Sequence, residues 1–287
     1  MDRSPEANRR FLLNAARAAG GALLFSLPLL MTMEMWRLGF TMEPHRLAVL
    51  LAVSLPVLVG LARFSGFNEP AGLLDEAVDA CVAVAVGAGV SAVTLAALAV
   101  IGDGPVSWAE AAGKVILQTV PAAMGAVFAA SQLGNPGEDG GKPEDSDEDE
   151  TAAHRDAAAY GRELFLMLAG ALFLAFSVAP TEEVVLLVHM TGPWRAMLIA
   201  VASVAVMHAF VYVVQFRGQH RAPDGVSAWG VFARLTVVGY AICLLLSLFC
   251  LWVFGRADGM AWGQLAVAAV LLSLPAAVGA AAARLIL

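Results

Sequence analysis

Residues 21–46 read GALLFSLPLLMTMEMWRLGFTMEPHR, and residues 170–195 read GALFLAFSVAPTEEVVLLVHMTGPWR. A shift of 149 residues lays 21–54 on 170–203 with nine coincidences and no gap. These are Gly21/Gly170, Ala22/Ala171, Leu23/Leu172, Thr32/Thr181, Glu34/Glu183, Leu38/Leu187, Pro44/Pro193, Arg46/Arg195 and Ser54/Ser203. In alanine- and leucine-rich sequence roughly one position in ten coincides by chance. Thr, Glu, Pro and Arg are uncommon in such runs, so their coincidence carries most of the signal. A shift of 154 pairs Pro121-Ala122-Ala123 with Pro275-Ala276-Ala277, Gly125 with Gly279 and Trp108 with Trp262. The chain therefore reads as two diverged halves.

Both halves are apolar. Of the 287 residues, 60% are hydrophobic and 14% charged, and the mean hydropathy is +0.76. A water-soluble domain is usually ~25% charged, so an ordinary cytosolic enzyme and a disordered chain are both excluded. A membrane helix needs ~20 apolar residues. Eight stretches supply them: 18–38, 47–66, 78–101, 112–132, 163–189, 196–215, 231–254 and 263–283. Leucine and alanine dominate without alternation, which argues against strands. The expected fold is an all-α polytopic membrane protein of about eight helices in two tandem four-helix repeats. The repeats cover residues 1–133 and 158–287.

Residues 134–157, GNPGEDGGKPEDSDEDETAAHRDA, differ in kind. They hold nine acids and no aromatic or β-branched apolar residue. Such a stretch cannot bury enough apolar surface to offset its ordering entropy, so it reads as a disordered acidic cytoplasmic linker. The formal charge of −7 argues against a nucleic-acid partner on electrostatic grounds. Cys81, Cys243 and Cys250 lie in apolar runs without metal-ligand spacing and read as reduced thiols.

Lys and Arg set the orientation. With the N-terminus inside, twelve fall inside, from Arg3 to Arg284. Five fall outside: Arg37, Arg46, Lys114, Arg195 and Arg256. Trp36, Trp108, Trp194 and Trp262 then mark one outer boundary as an aromatic belt. Both termini are expected in the cytoplasm. Four helices per half make the repeats parallel, with the expected site where equivalent helices one and five meet.

The repeat-matched carboxylates are the main candidates for that site. On an unbroken helix Glu34 lies 16 residues from the inner end, or ~24 Å along it. Glu183 lies about 20 residues along helix five, next to Glu182. A charged side chain at the bilayer centre costs ~2.5–3.5 kcal/mol, so a cation, proton or arginine should offset it. Pro28 and Pro180 are expected to break the helices and free carbonyls. With Thr32 and Thr181 these form sets of hard oxygen ligands suited to Ca²⁺, Mg²⁺ or Na⁺. The structural alternative pairs Glu34 with Arg46 and Glu183 with Arg195. Asp75 and Asp79, at i,i+4 spacing, read as a cytoplasmic mouth or as complements to a helix dipole. His208 reads as a proton relay or a helix-packing histidine. Glu110 and Lys114 read as a surface ion pair.

No HExxH, GxSxG, CxxC or P-loop occurs. The Glu182-Glu183 pair is similar to the double glutamate of intramembrane CAAX-type proteases, but Leu187 stands where that family has arginine. The runs SLPLLMTMEMWRLGF, GFNEPAGLLDEA, LQTVPAAMGAVF and SVAPTEEVVLL together resemble a bacterial family of integral membrane proteins without an established activity. That resemblance covers nearly the whole chain outside the acidic linker, and implies the bacterial inner membrane. Ala179-Pro180-Thr181-Glu182-Glu183 also resembles the proline–glutamate repeats of cation/Ca²⁺ exchangers, without their Gly-Asn before the proline. The leading expectation is a cation or proton-coupled transporter or channel, with no cofactor beyond a bound cation. A non-transporting sensor or scaffold and an intramembrane hydrolase are the alternatives. The sequence assigns no oligomeric state.

Overall fold

The computed structural model describes residues 5–64, 72–102, 106–133, 152–216, 230 and 232–286. It is all-helical over these residues and divides into two compact units, Met1–Glu148 and Asp149–Leu287. Eight described helices are long and apolar enough to cross a membrane, four in each unit.

The first unit contains α1 (Pro5–Leu30), α2 (Met33–Thr41), α3 (Pro44–Phe64), α4 (Leu73–Ala97) and α5 (Trp108–Leu133). Helix α5 is its axis and packs against all four others. Every residue from 117 to 129 on α5 is buried. Small side chains make that possible, because Ala122, Ala123, Gly125, Ala126 and Ala129 let neighbouring backbones approach.

The second unit contains α6 (Ala152–Val178), α7 (Glu183–Met190) and α8 (Pro193–Phe216). A π-helical turn (Phe232–Val237) then runs into α9 (Val238–Val253), followed by α10 (Trp262–Ile286). Here α10 packs against α6, α7, α8 and α9. Proline opens both α3 and α8, at the helical position where its missing N–H is not needed.

Glycines set a close helix crossing between the first and last helix of each unit. A Cβ on Gly21 would collide with Ala129 Cβ and lie 2.6 Å from the Gly125 carbonyl oxygen. A Cβ on Gly125 would lie 2.7 Å from the Gly21 oxygen. In the second unit, a Cβ on Gly170 or on Gly279 would collide with the other's carbonyl oxygen. Phe25 packs on Phe128 beside the first crossing, with centroids 5.9 Å apart.

Two expectations are corrected. The stretches 18–38 and 163–189 are not continuous helices: α1 ends at Leu30 and α6 at Val178, and a separate short helix follows each. Glu34, Glu182 and Glu183 thus follow the ends of the long helices that carry the apolar stretches Leu12–Leu30 and Ala157–Val178, rather than lying within them. The last six residues of the expected linker are helical. Residues 134–151 lie outside the described residues, whereas 152–157 form the first turns of α6. Alanine is the strongest helix former, and five of the nine residues in AAHRDAAAY are alanine.

Two substitutions on α6 and α10 separate close packing from helix propensity. Gly279→Ala forces the Gly170 crossing apart and should lower stability by ~1–3 kcal/mol. Nothing lies within 4 Å of the Cβ position at Gly161 on the exposed end of α6. Gly161→Ala should raise stability by ~0.5–1 kcal/mol. Thermal unfolding in detergent reads both, with opposite signs.

Candidate functional site

An interrupted helix exposes the carbonyls of its last turn, which have no intrahelical N–H partner. Where water is scarce each unmet group costs several kcal/mol. The two units meet this cost with different side chains.

At the end of α1 the donors are neutral. Met31 N donates to Leu27 O at 3.1 Å, and Thr32 N to Leu29 O at 3.1 Å. Thr32 Oγ1 donates to Pro28 O at 2.6 Å. Trp36 Nε1 reaches back to Leu30 O at 2.7 Å. Gln118 Nε2, wholly buried on α5, donates to Leu29 O at 2.9 Å. Its Oε1 is buried with no hydrogen-bond partner among the described residues. Pro28 lies inside α1, and the break falls after it, at Met31-Thr32.

At the end of α6 the charge is positive. Ala179 N donates to Ala175 O at 2.8 Å, and Thr181 N to Val178 O at 3.1 Å. Thr181 Oγ1 donates to Val178 O at 2.8 Å. Pro180 sits within the break, and its carbonyl accepts from Arg256 Nε at 3.1 Å and also from Arg256 Nη2. Arg256 Nη1 stands 3.9 Å from Glu182 Oε1. Phe254, two residues before Arg256, packs edge-on against Phe176 of α6 at 4.9 Å.

The carboxylates occupy the positive ends of the short helices. Glu34 is in the first turn of α2 and Glu183 in the first turn of α7. An acid there gains ~0.3–1 kcal/mol from the helix dipole. Glu34 is half-buried and Glu183 exposed, and neither makes an ion pair among the described residues. Arg46 Nε binds Glu43 at 3.1 Å instead, and Arg195 Nη1 donates to Met190 O at 3.5 Å. Arg256 is the partner that sequence reading missed. It lies 73 residues beyond Glu183, in the loop after α9, and no spacing rule connects a loop arginine to a distant helix end.

The remaining candidates take local roles in the geometry. Asp75 and Glu76 are in the first turn of α4, and Glu76 Oε1 lies 3.7 Å from Arg63 Nε of α3. Asp79 is half-buried one turn further on. His208 Nδ1 lies 3.0 Å from Thr236 Oγ1 in the π-helical turn, with Phe232 edge-on at 5.0 Å. The Glu110–Lys114 pair is not a surface bridge. Lys114 Nζ lies 2.7 Å from Glu110 Oε1, with its side chain 8% exposed. It donates to Val100 O at 3.3 Å and lies 5.6 Å from the Phe40 ring centroid. The close approach of Gly39 to the Lys114 backbone brings α2 over this lysine.

Among the described residues no group of three or more His, Cys, Asp or Glu side chains is placed to hold a metal ion. The three cysteines are free, with Cys243 and Cys250 buried and Cys81 exposed.

The closure of the first break is testable at Trp36. Trp36→Phe keeps an aromatic ring and removes the donor to Leu30 O. It should cost ~1–3 kcal/mol. Trp194→Phe changes an exposed ring and should shift stability by less than ~0.5 kcal/mol. Thermal unfolding of the two variants side by side checks this.

No curated protein and no solved structure matches the chain. Residues 14–287 match the family described as "Putative integral membrane protein (DUF2391)". With eight apolar spans and a match over nearly its whole length, the chain is a multi-pass integral membrane protein belonging to that family.

Proposed function

We propose that the protein is a cation or proton-coupled transporter or channel, built as two diverged four-helix repeats. Glu34 and Glu183 are its cation- or proton-accepting groups. One observation carries the reading. Each unit has an interrupted apolar helix followed by a short helix whose first turn presents a carboxylate without an ion pair among the described residues. Interrupted helices in membranes are tolerated where they line protein or water, and transporters use their ends to bind ions.

The repeat reading is supported by sequence coincidence and by matching internal layouts. Each unit runs long helix, short helix, then three long apolar segments, with a glycine crossing between first and last. The donor chemistry favours a monovalent cation or proton. Ca²⁺ takes 6–8 oxygen ligands, often several of them carboxylates, and no cluster of three suitable side chains stands among the described residues. Thr32 and Thr181 spend their hydroxyl protons on helix-end carbonyls, leaving only lone pairs for a cation. A non-transporting sensor or scaffold is the second reading, favoured by the Arg256–Glu182 link closing the α6–α7 break.

In liposomes the protein should pass Na⁺, K⁺ or protons. Glu34→Gln or Glu183→Gln should cut that flux by about tenfold or more, the equivalent of ~1.4 kcal/mol. Folded protein that passes none of the three would refute transport.

We place the chain in the bacterial cytoplasmic membrane with both termini inside, from the excess of Lys and Arg on that side. With Cys81, Cys243 and Cys250 replaced by serine or alanine, single cysteines introduced at Ser4 and at Thr191 should then label oppositely with a membrane-impermeant maleimide on intact cells. Thr191 should react and Ser4 should not. The reverse pattern would invert the topology.

A further inference from the structure

The second unit's break contains a cation that the chain itself supplies. The carbonyl of Pro180 falls where α6 has ended and no helical N–H follows it. Ala179 and Pro180 are buried, so water does not serve that oxygen freely. The end of α6 is also the negative pole of a 27-residue helix. Two nitrogens of Arg256 converge on that one oxygen, and a third faces the Glu182 carboxylate at 3.9 Å. The Arg256 side chain is 13% exposed, against 57% for Glu182. The guanidinium is therefore largely withdrawn from water and held by one carbonyl, one carboxylate and a helix pole. Its backbone is held as well, since Arg256 N donates to Leu251 O at 2.8 Å.

We propose that the α6–α7 break is a guanidinium site, lined by the Pro180 carbonyl and the Glu182 carboxylate, which the chain fills with Arg256. Removing that side chain leaves a place that a free guanidinium-type cation occupies. The site discriminates by shape. A planar fork reaches the carbonyl with two nitrogens and faces the carboxylate with the third, a spread of donors that a spherical alkali ion or a compact ammonium does not match. The hydrogen bonds that close the first unit's break come from neutral side chains, those of Trp36, Thr32 and Gln118. The second break thus holds its Pro180 carbonyl and Glu182 with the chain's own cation, and leaves Glu183 outside that pairing. This holds whether or not the protein transports ions.

Chemical rescue tests the site. Arg256→Ala in detergent should unfold several degrees below wild type. About 50 mM guanidinium chloride, far below denaturing levels, should return about half of that loss or more by binding the native state. Equal concentrations of NaCl should not. Trp36→Phe, destabilised at the other break, should gain nothing from guanidinium. Arg256→Lys keeps the charge and loses the fork, so it should remain below wild type and respond to neither salt. Should Arg256→Ala not fold alone, the yield of monodisperse protein extracted with and without guanidinium gives the same reading. A variant as stable as wild type, or a destabilised one that guanidinium does not restore, overturns the proposal. The readout is stability, so failed flux with successful rescue removes transport and keeps the site. Flux without rescue does the reverse.

Discussion

A backbone carbonyl at the end of an apolar helix must find a donor, and a membrane supplies little water to provide one. That constraint organises the described parts of this protein. It explains why Trp36 folds back on Leu30, why a wholly buried glutamine lies on α5, and why a loop arginine is drawn onto Pro180. It also explains the short helices. Once α1 and α6 stop, the chain must restart, and the restart creates an N-terminus with a positive pole. Glu34 and Glu183 occupy those poles, where a carboxylate is less costly than at mid-helix.

Glycine makes this closure reachable. Gly21 and Gly125 bring the backbones of α1 and α5 into contact. Leu29 lies eight residues after Gly21, and Gln118 seven residues before Gly125. Two antiparallel helices in contact at the glycines bring those positions opposite one another about two turns away. Gln118 then spans the gap with its 2.9 Å bond. A bulkier pair at the crossing would widen the spacing and strand the Leu29 carbonyl's second donor. Packing and polar satisfaction are therefore coupled in the first unit.

The eight apolar runs were legible because length and hydropathy suffice to identify a span. The glycines that match at shifts of 149 and 154 also carried spatial meaning, since in each unit they face one another. The interruptions were half legible. Pro180 marks its break, but Pro28 stays inside α1 and the first break falls at Met31-Thr32. Met-Thr carries no strong stop signal, and the back-bonding of Thr32 to Pro28 is a choice of geometry rather than of composition. Lys114 misled for a different reason. An i,i+4 Glu–Lys pair near a helix start reads as exposed, and only the approach of Gly39 and Phe40 covers it. Arg256 was illegible because its partners are distant in sequence.

Charge gives the last constraint. The nine acids of residues 134–157 stand against Lys142 and Arg155, which accounts for the whole −7. Elsewhere 15 acids face 15 bases. In such a balanced body the ion pairs show which carboxylates the bases serve. Arg46 is on Glu43, Arg63 near Glu76, Lys114 on Glu110 and Arg256 at Glu182. These commitments pass over Glu34 and Glu183, the two carboxylates that coincide between the halves. The helix poles hold those two in place without neutralising them, because a pole contributes a partial charge and no proton. Two anions fixed at helix ends and left without a full countercharge among the described residues are the places where an external cation or a proton has the most to contribute.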